Sequence, residues 1–462
     1  MSSYGLTPRQ IWILIVIAAA GIFLRGVSLD RSYWFDELAT VTHVDVADLP
    51  GVLHETAQDK QPPLYNSVVF YWIRAFGQSE VAVRSLSLLF GLLALATPWI
   101  ARTSLNRGEK ILSFVVLCVM SLPIKYAQEA RNYSLMLLLS SACLFTYYEM
   151  LTNPTPRLRT AFYGALTLLA LSHLFGLLLA VSYAGVVFLR PRSRYERLGV
   201  TVFAVAISAA VLLPLLRAGA ADAAGGNFWL KFTPQFLAWS VGLVFTPVGL
   251  VLAAYGILRW RGATASIRFD PLLAQALAPT ALMFLGALAI SLHTPLINDR
   301  NLIGMIPAFA LLTSRLLQRA IARDGAAPTI ALIFLLLAQS ALMIFYGKLF
   351  IREDFRGIAQ HSIAAQTPVC YVVPDGDAAI WASIMAFYVT RLFHRVDLTP
   401  RTFARADLQD SRAIAGCRLW AEAHPEGRAS DLASLPQFQR CPEIALGMSR
   451  ARATSVLLNC PD

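Results

Sequence analysis

The chain is predicted to be an all-α polytopic membrane protein of about eleven spans, followed by a small α/β domain at its C-terminal end. Three observations predict this. Of 462 residues, 56% are hydrophobic and only 15% charged, with mean hydropathy +0.57, whereas a water-soluble chain carries about 25% charged residues. The apolar residues fall in runs close to the length that crosses about 30 Å of hydrocarbon. After residue 347 the composition turns abruptly polar.

The apolar runs place spans near 10–29, 80–101, 110–124, 132–151, 160–172, 174–190, 198–216, 235–258, 271–292, 301–318 and 328–347. The small residues Ala18-Ala19-Ala20-Gly21 resemble a signal cleavage site, but the apolar run continues past them, which predicts an uncleaved first helix. Two short runs meet at His173 and could form a tight corner in place of two full crossings. Residues 63–76 are too short to cross and contain Asn66 and Arg74, so a helix lying in the outer interface is expected there. The first outer loop then runs from about 30 to 79 and holds the interfacial helices.

Charge gives the orientation. Fifteen Lys and Arg residues lie in five short loops on one side: Arg102, Arg107 and Lys110; Arg157 and Arg159; Arg190, Arg192, Arg194 and Arg197; Arg259, Arg261 and Arg268; and Arg315, Arg319 and Arg323. The other side has eight, spread over longer stretches. Basic loops stay cytoplasmic, so the N-terminus is expected inside and residues 30–79 outside, in the periplasm of a bacterium. The net charge of +11 is thereby accounted for without a nucleic-acid partner.

Residues 348–462 contain strand-like runs at 369–373 and 455–460 and a helix-like run at 379–389. They also carry Cys370, Cys417, Cys441 and Cys460, a cysteine usage suited to an oxidising compartment; three pairings are open. Cys118 and Cys143 lie in apolar runs and read as small packing residues. Acceptor selection is the role expected of this outer domain, from its location.

The chemistry-bearing residues gather on the outer face. Asp36 and Glu37 follow an aromatic pair in YWFDEL, just beyond the first span, where an unpaired carboxylate costs several kcal/mol. A carboxylate there can act as general base toward a hydroxyl. Asp59-Lys60-Gln61, the run KYAQEARNY at 125–133, His173 and INDRN at 297–301 join the same face. Cationic side chains among them can hold a phosphate and stabilise it as a leaving group. The plainer reading of any one of these residues is a pairing with a headgroup or neighbour. A sugar joined to a polyprenyl phosphate would use both roles at once, its tail in the bilayer and its phosphate at headgroup depth. The alternative, a lipid or polysaccharide transporter or flippase, predicts midplane charges and inverted repeats, and neither is visible. A non-catalytic scaffold leaves the acidic pair without a purpose.

Six segments in the same order carry a family resemblance: WFDE at 34–37, PPLY at 62–65, SEVAVRSLSLLFGLLA at 79–94, YAQEARNYSL at 126–135, SHLFGLLLA at 172–180 and DRNLIGMIPAFALL at 299–312. Through them the chain resembles, over about residues 8–350, the C-type glycosyltransferases of the protein O-mannosyltransferase and lipid A aminoarabinose and galacturonic acid transferase superfamily. The resemblance implies an inverting membrane glycosyltransferase with a polyprenyl-phosphate sugar donor and a lipid, glycan or protein acceptor. It implies Asp36 as catalytic base, with Glu37 its neighbour, and Lys60 near the donor phosphate. Gln61, Tyr65, Glu129, Arg131, Tyr133, His173 and Arg300 complete the expected substrate and phosphate site. His173 is equally well read as a corner histidine bonded to backbone. Some relatives use a divalent cation. Many read HPPLY where this chain has Gln61, a poor metal ligand, so a metal role at that position is not expected.

Overall fold

In the computed structural model, residues 7–27, 29–59, 61–191, 193–207, 270–291, 297–350, 354–373, 378–404, 416–422, 436–444 and 457–460 are described, with the single residues 249, 252, 256 and 408. Nearly all of the expected span at 235–258, residues 208–216 of that at 198–216, and Lys60 lie outside them. The chain is a mostly helical multi-pass membrane protein with a small sheet. Among the described residues, four helices are long and apolar enough to cross a membrane: Glu80–Ile100, Tyr133–Thr152, Pro271–Ser291 and Ala327–Phe345.

The helices run α1 Pro8–Leu24, α2 Phe35–Val44, α3 Leu49–Gln58, α4 Leu64–Phe76, α5 Glu80–Ala96, α6 Arg107–Val119, α7 Ser121–Tyr126, α8 Tyr133–Thr152, α9 Pro156–Ala170, α10 Leu174–Leu189, α11 Arg194–Ile207, α12 Pro271–Ser291, α13 Ile306–Asp324, α14 Ala327–Phe350, α15 Phe355–Ala365 and α16 Ala378–Ala386. Local sequence sets several of their starts. Thr7 caps α1 with Gln10 reaching back and Pro8 at the first position; Asn106 and Glu109 form the same reciprocal box on α6. The run expected as one span at 110–124 is broken: α6 stops at Val119, and Met120 is extended before α7 begins. Pro123 explains the break. It lacks an N–H, and its ring would strike the carbonyl of Val119, but it is tolerated in the first turn of a new helix.

The chain divides into two units: Met1–Val27, Leu53–Val68 and Ser85–Ala341 form the first, and Ser28–Val52, Val69–Arg84 and Leu342–Asp462 the second. In the first unit α1 lies hard against α6. A Cβ at Gly21 would collide with the Cys118 carbonyl, and only glycine permits that approach. Arg25, fully buried, closes the same contact by donating to the carbonyls of Gly21, Cys118 and Leu117 at 2.7–2.8 Å. These are carbonyls in the last turns of α1 and α6, where the helix itself supplies no donor. Tyr147, Phe162 and Tyr183 interlock between α8, α9 and α10 with ring centroids 5.4–5.7 Å apart.

In the second unit, five strands, β1 Val369–Val373, β2 Arg401–Ala404, β3 Leu419–Glu422, β4 Glu443–Ile444 and β5 Leu457–Asn459, are ordered β2-β1-β3-β5-β4. β1 is parallel to β2 and β3; β5 is antiparallel to β3 and β4. β1 is buried at every residue, as a central parallel strand covered on both faces must be. Trp420 packs between Phe403 and Phe438 at 5.6 and 5.0 Å. Of the three cysteine pairings open in sequence, the protein has Cys370–Cys417 and Cys441–Cys460. The strand-like runs at 369–373 and 455–460 and the helical run at 379–389 coincide with β1, β5 and α16. The last is followed by a π-helical turn, Phe387–Leu392.

Candidate active site

The second unit holds the acidic pair. Asp36 and Glu37 are the second and third residues of α2, where the N-terminal end of a helix favours negative charge. Adjacent residues on a helix point about 100° apart, and the two carboxylates have different surroundings. Glu37 is buried and is gripped by Arg84, with Nε to Oε1 at 2.9 Å and an Nη to Oε2 at 2.6 Å. Its Oε2 also accepts the Trp34 amide at 3.2 Å. Arg84, likewise fully buried, donates further to the carbonyls of Leu29, Arg31 and Ser32 at 2.5–3.0 Å. It faces the Tyr33 ring 5.2 Å away. This geometry gives Glu37 a structural part; Asp36 beside it is half-buried. Burial and the Glu37 charge push the Tyr33 hydroxyl well above its ordinary range, so it stays protonated and donates to the Gln78 carbonyl at 3.1 Å.

The first unit holds the other expected residues, apart from Lys60. The turn between α7 and α8 carries Glu129 and Arg131. Tyr126, Tyr133 and His173 form a row of rings with centroids 4.8 and 5.8 Å apart, and the Arg131 guanidinium lies 6.0 Å from the Tyr133 ring. Asn132 ties this turn to its neighbours. Its amide donates to the Ser172 carbonyl at 3.1 Å and lies 3.5 Å from Gln61 Oε1, the outer limit of a hydrogen bond. Tyr65 meets Ser87 at 3.0 Å, and Ser87 donates to the Arg131 carbonyl at 3.3 Å. Tyr65 therefore braces the turn from behind.

Sequence reasoning missed the ion pair that joins two of these loops. Lys125 Nζ and the Tyr126 hydroxyl both donate to Asp299 Oδ2 at 2.9 Å. Burial raises the Asp299 carboxyl, but Lys125 and the two hydrogen bonds outweigh it and hold it below its ordinary value. Each charge was visible in sequence, but a pairing across 174 positions leaves no local signal. Asp299 is followed by Arg300, whose charge also reaches His173.

His173 is the N-cap of α10: its Nδ1 accepts the Phe175 amide at 3.0 Å. Burial, with Arg131 and Arg300 nearby, lowers its pKa to about 3. The folded chain thus keeps it neutral, while the unfolded chain protonates it below about 6.5. The stabilising contribution is full above that value and is lost as pH falls toward 3. Between pH 7 and pH 5 the loss is about 2 kcal/mol. His173→Asn retains a capping side chain, so its unfolding temperature in detergent is expected to fall less over that interval than that of the wild type. Parallel pH profiles would contradict this.

Among the described residues, no three His, Cys, Asp or Glu side chains come together as metal ligands.

The described residues thus combine a helical membrane scaffold, the short helices α2, α3 and α4 between α1 and α5, and a small mixed sheet. No family model and no curated protein matches the chain. Solved structures do. The chain is similar to ArnT from Cupriavidus metallidurans in the apo state, with a TM-score of 0.57 and 13% identity over 98% of both chains. The same protein bound to undecaprenyl phosphate matches with a TM-score of 0.56 and 14% identity over 97% of both chains. At such identity the likeness is one of fold.

Proposed function

We propose that this protein is an integral-membrane inverting glycosyltransferase that moves a sugar from a polyprenyl-phosphate donor to an acceptor hydroxyl on the periplasmic face. In this reading the chain crosses the inner membrane about eleven times with its N-terminus in the cytoplasm. Residues 1–347 form the membrane part and 348–462 an outer domain. Asp36 takes the proton of the acceptor hydroxyl as its oxygen attacks the anomeric carbon. The bond from that carbon to the phosphate oxygen breaks in the same step, configuration inverts, and polyprenyl phosphate leaves. Arg131 and Arg300 stabilise the departing phosphate. Tyr133 and Glu129 shape that site, and Lys60 is a further phosphate candidate. Asp36 then returns its proton to water.

The observation that carries the reading is the construction around Asp36. A buried bidentate ion pair and three further backbone hydrogen bonds from one arginine fix the turn that presents a single carboxylate. The fold agrees, since a structure of ArnT, its match over nearly the full length, is bound to undecaprenyl phosphate.

The test incubates the purified protein with a panel of polyprenyl-phosphate sugars and follows loss of each donor and appearance of free polyprenyl phosphate. One donor is expected to be consumed. Arg131→Ala is expected to raise the KM for that donor about tenfold or more, as loss of a charge-assisted phosphate contact does, with the acceptor KM little changed. If no donor is consumed while a lipid-linked sugar crosses the bilayer of a proteoliposome, the transporter reading replaces this one.

A further inference from the structure

The C-terminal segment reaches the acidic turn chiefly through Tyr388, with Phe387 and Arg356 beside it. Within the second unit, α16 gives way to the π-helical turn Phe387–Leu392. A π turn is wider than an α turn and is found at functional sites. Here it brings both Phe387 and Tyr388 against one ring: Tyr33 lies 6.0 Å from Phe387, edge to face, and 6.2 Å from Tyr388. Tyr33 is fully buried, and its backbone N–H has Tyr388 as its acceptor, at 2.6 Å. The Tyr388 hydroxyl donates in turn to Glu80 Oε1 at 2.9 Å, and Ser32 Oγ approaches it at 3.4 Å. The same Glu80 oxygen is paired with Arg356 at 3.1 Å. Arg356 also donates from its amide to Ser32 Oγ and from its side chain to the Asp30 carbonyl.

The segment Asp30–Tyr33 is therefore held by two different parts of the chain. Arg84 binds the carbonyls of Leu29, Arg31 and Ser32, and the C-terminal segment binds the amide of Tyr33 and the hydroxyl of Ser32. Tyr33 is followed by Trp34, the cap of the helix on which Asp36 sits. A single hydroxyl accepting from Tyr33 and donating to Glu80 fixes both ends of the loop that carries Asp36. Phenylalanine could fill the same space but make neither bond.

We infer that the C-terminal segment sets the geometry of the acidic turn, with Tyr388 a positioning residue for Asp36. The kinetic half of this inference rests on the reading of Asp36 as base; the structural half does not.

The test compares wild-type protein and Tyr388→Phe, full length and in nanodiscs, by hydrogen exchange of the peptides spanning 29–38 and by steady-state transfer. Arg395→Ala, which removes a surface pair with Asp397 and a hydrogen bond to Gln366 in the same unit, is the control. Tyr388→Phe is expected to speed exchange in 29–38 by about tenfold or more, because a buried amide loses its acceptor. It is expected to lower kcat with donor and acceptor KM nearly unchanged, the signature of an interaction felt in the transition state. Unchanged exchange in 29–38 overturns the inference, and so does faster exchange with wild-type kcat. If Tyr388→Phe does not reach the membrane folded, Glu80→Gln weakens the same link, and slow exchange in 29–38 in that variant likewise overturns it. If the wild type consumes no donor, the proposed function falls, and the exchange result still decides whether Tyr388 holds the loop.

Discussion

Asp36→Asn is expected to lower sugar transfer by roughly 10²–10⁴-fold, the span general-base catalysis contributes, while the protein stays folded in the membrane. Asparagine nearly matches the shape of aspartate and leaves the Thr40 hydroxyl bond to the backbone carbonyl of residue 36 intact. What it cannot do is accept a proton at neutral pH. Donor KM is expected to be nearly unchanged, because the donor's phosphate is assigned to other residues. A variant with wild-type kcat would remove Asp36 from the reaction. A variant that fails to bind donor would instead make Asp36 part of the binding site.

Arg84→Met is expected to give the largest loss of stability, about 3–5 kcal/mol, because it leaves Glu37 as an uncompensated buried charge. Both side chains of the pair are fully shielded from solvent, so screening offers little relief. Three backbone carbonyls lose a donor at the same time. The double variant Glu37→Leu with Arg84→Met is expected to recover part of the loss, since a buried pair replaced by apolar residues of similar size is often tolerated. Thermal unfolding of the three proteins in one detergent checks this. Equal stability of Arg84→Met and the wild type would mean that the pair does not hold the turn. Transfer activity is expected to fall with Arg84→Met, through displacement of Asp36.

Much of this arrangement was legible before any coordinates. The acidic pair stood out because carboxylates beside hydrocarbon require a reason, and 64–76 forms the helix that its amphipathic run predicts. The ion pair that buries Glu37 was not legible. Neighbouring carboxylates read alike in sequence, and only the position of Arg84 separates them. Arg84 itself gave a signal, a cation inside an apolar run, whose partner no local pattern names. Lys125 and Asp299 were each visible, but their bond is set by how two distant loops meet. The strands β2 and β3 are four residues long, too short for an alternating pattern to declare itself. The break between α6 and α7 was announced by Pro123, but the apolar character of the whole run masked it. The cysteine pairing followed only once the strand order was known.

The link from Tyr388 to Glu80 spans 308 positions, which bears on how the protein is made. At translation rates of about 5–20 residues per second, roughly 15–60 s separate the emergence of these two residues. In that interval Arg84 and Glu37 can already find each other, but the Tyr33 amide has no acceptor. The nascent chain must therefore thread its later helices while its acidic turn is still half assembled. A ribosome that stalls or terminates short of residue 388 leaves a membrane-inserted product whose scaffold is largely complete and whose turn around Asp36 is not yet set.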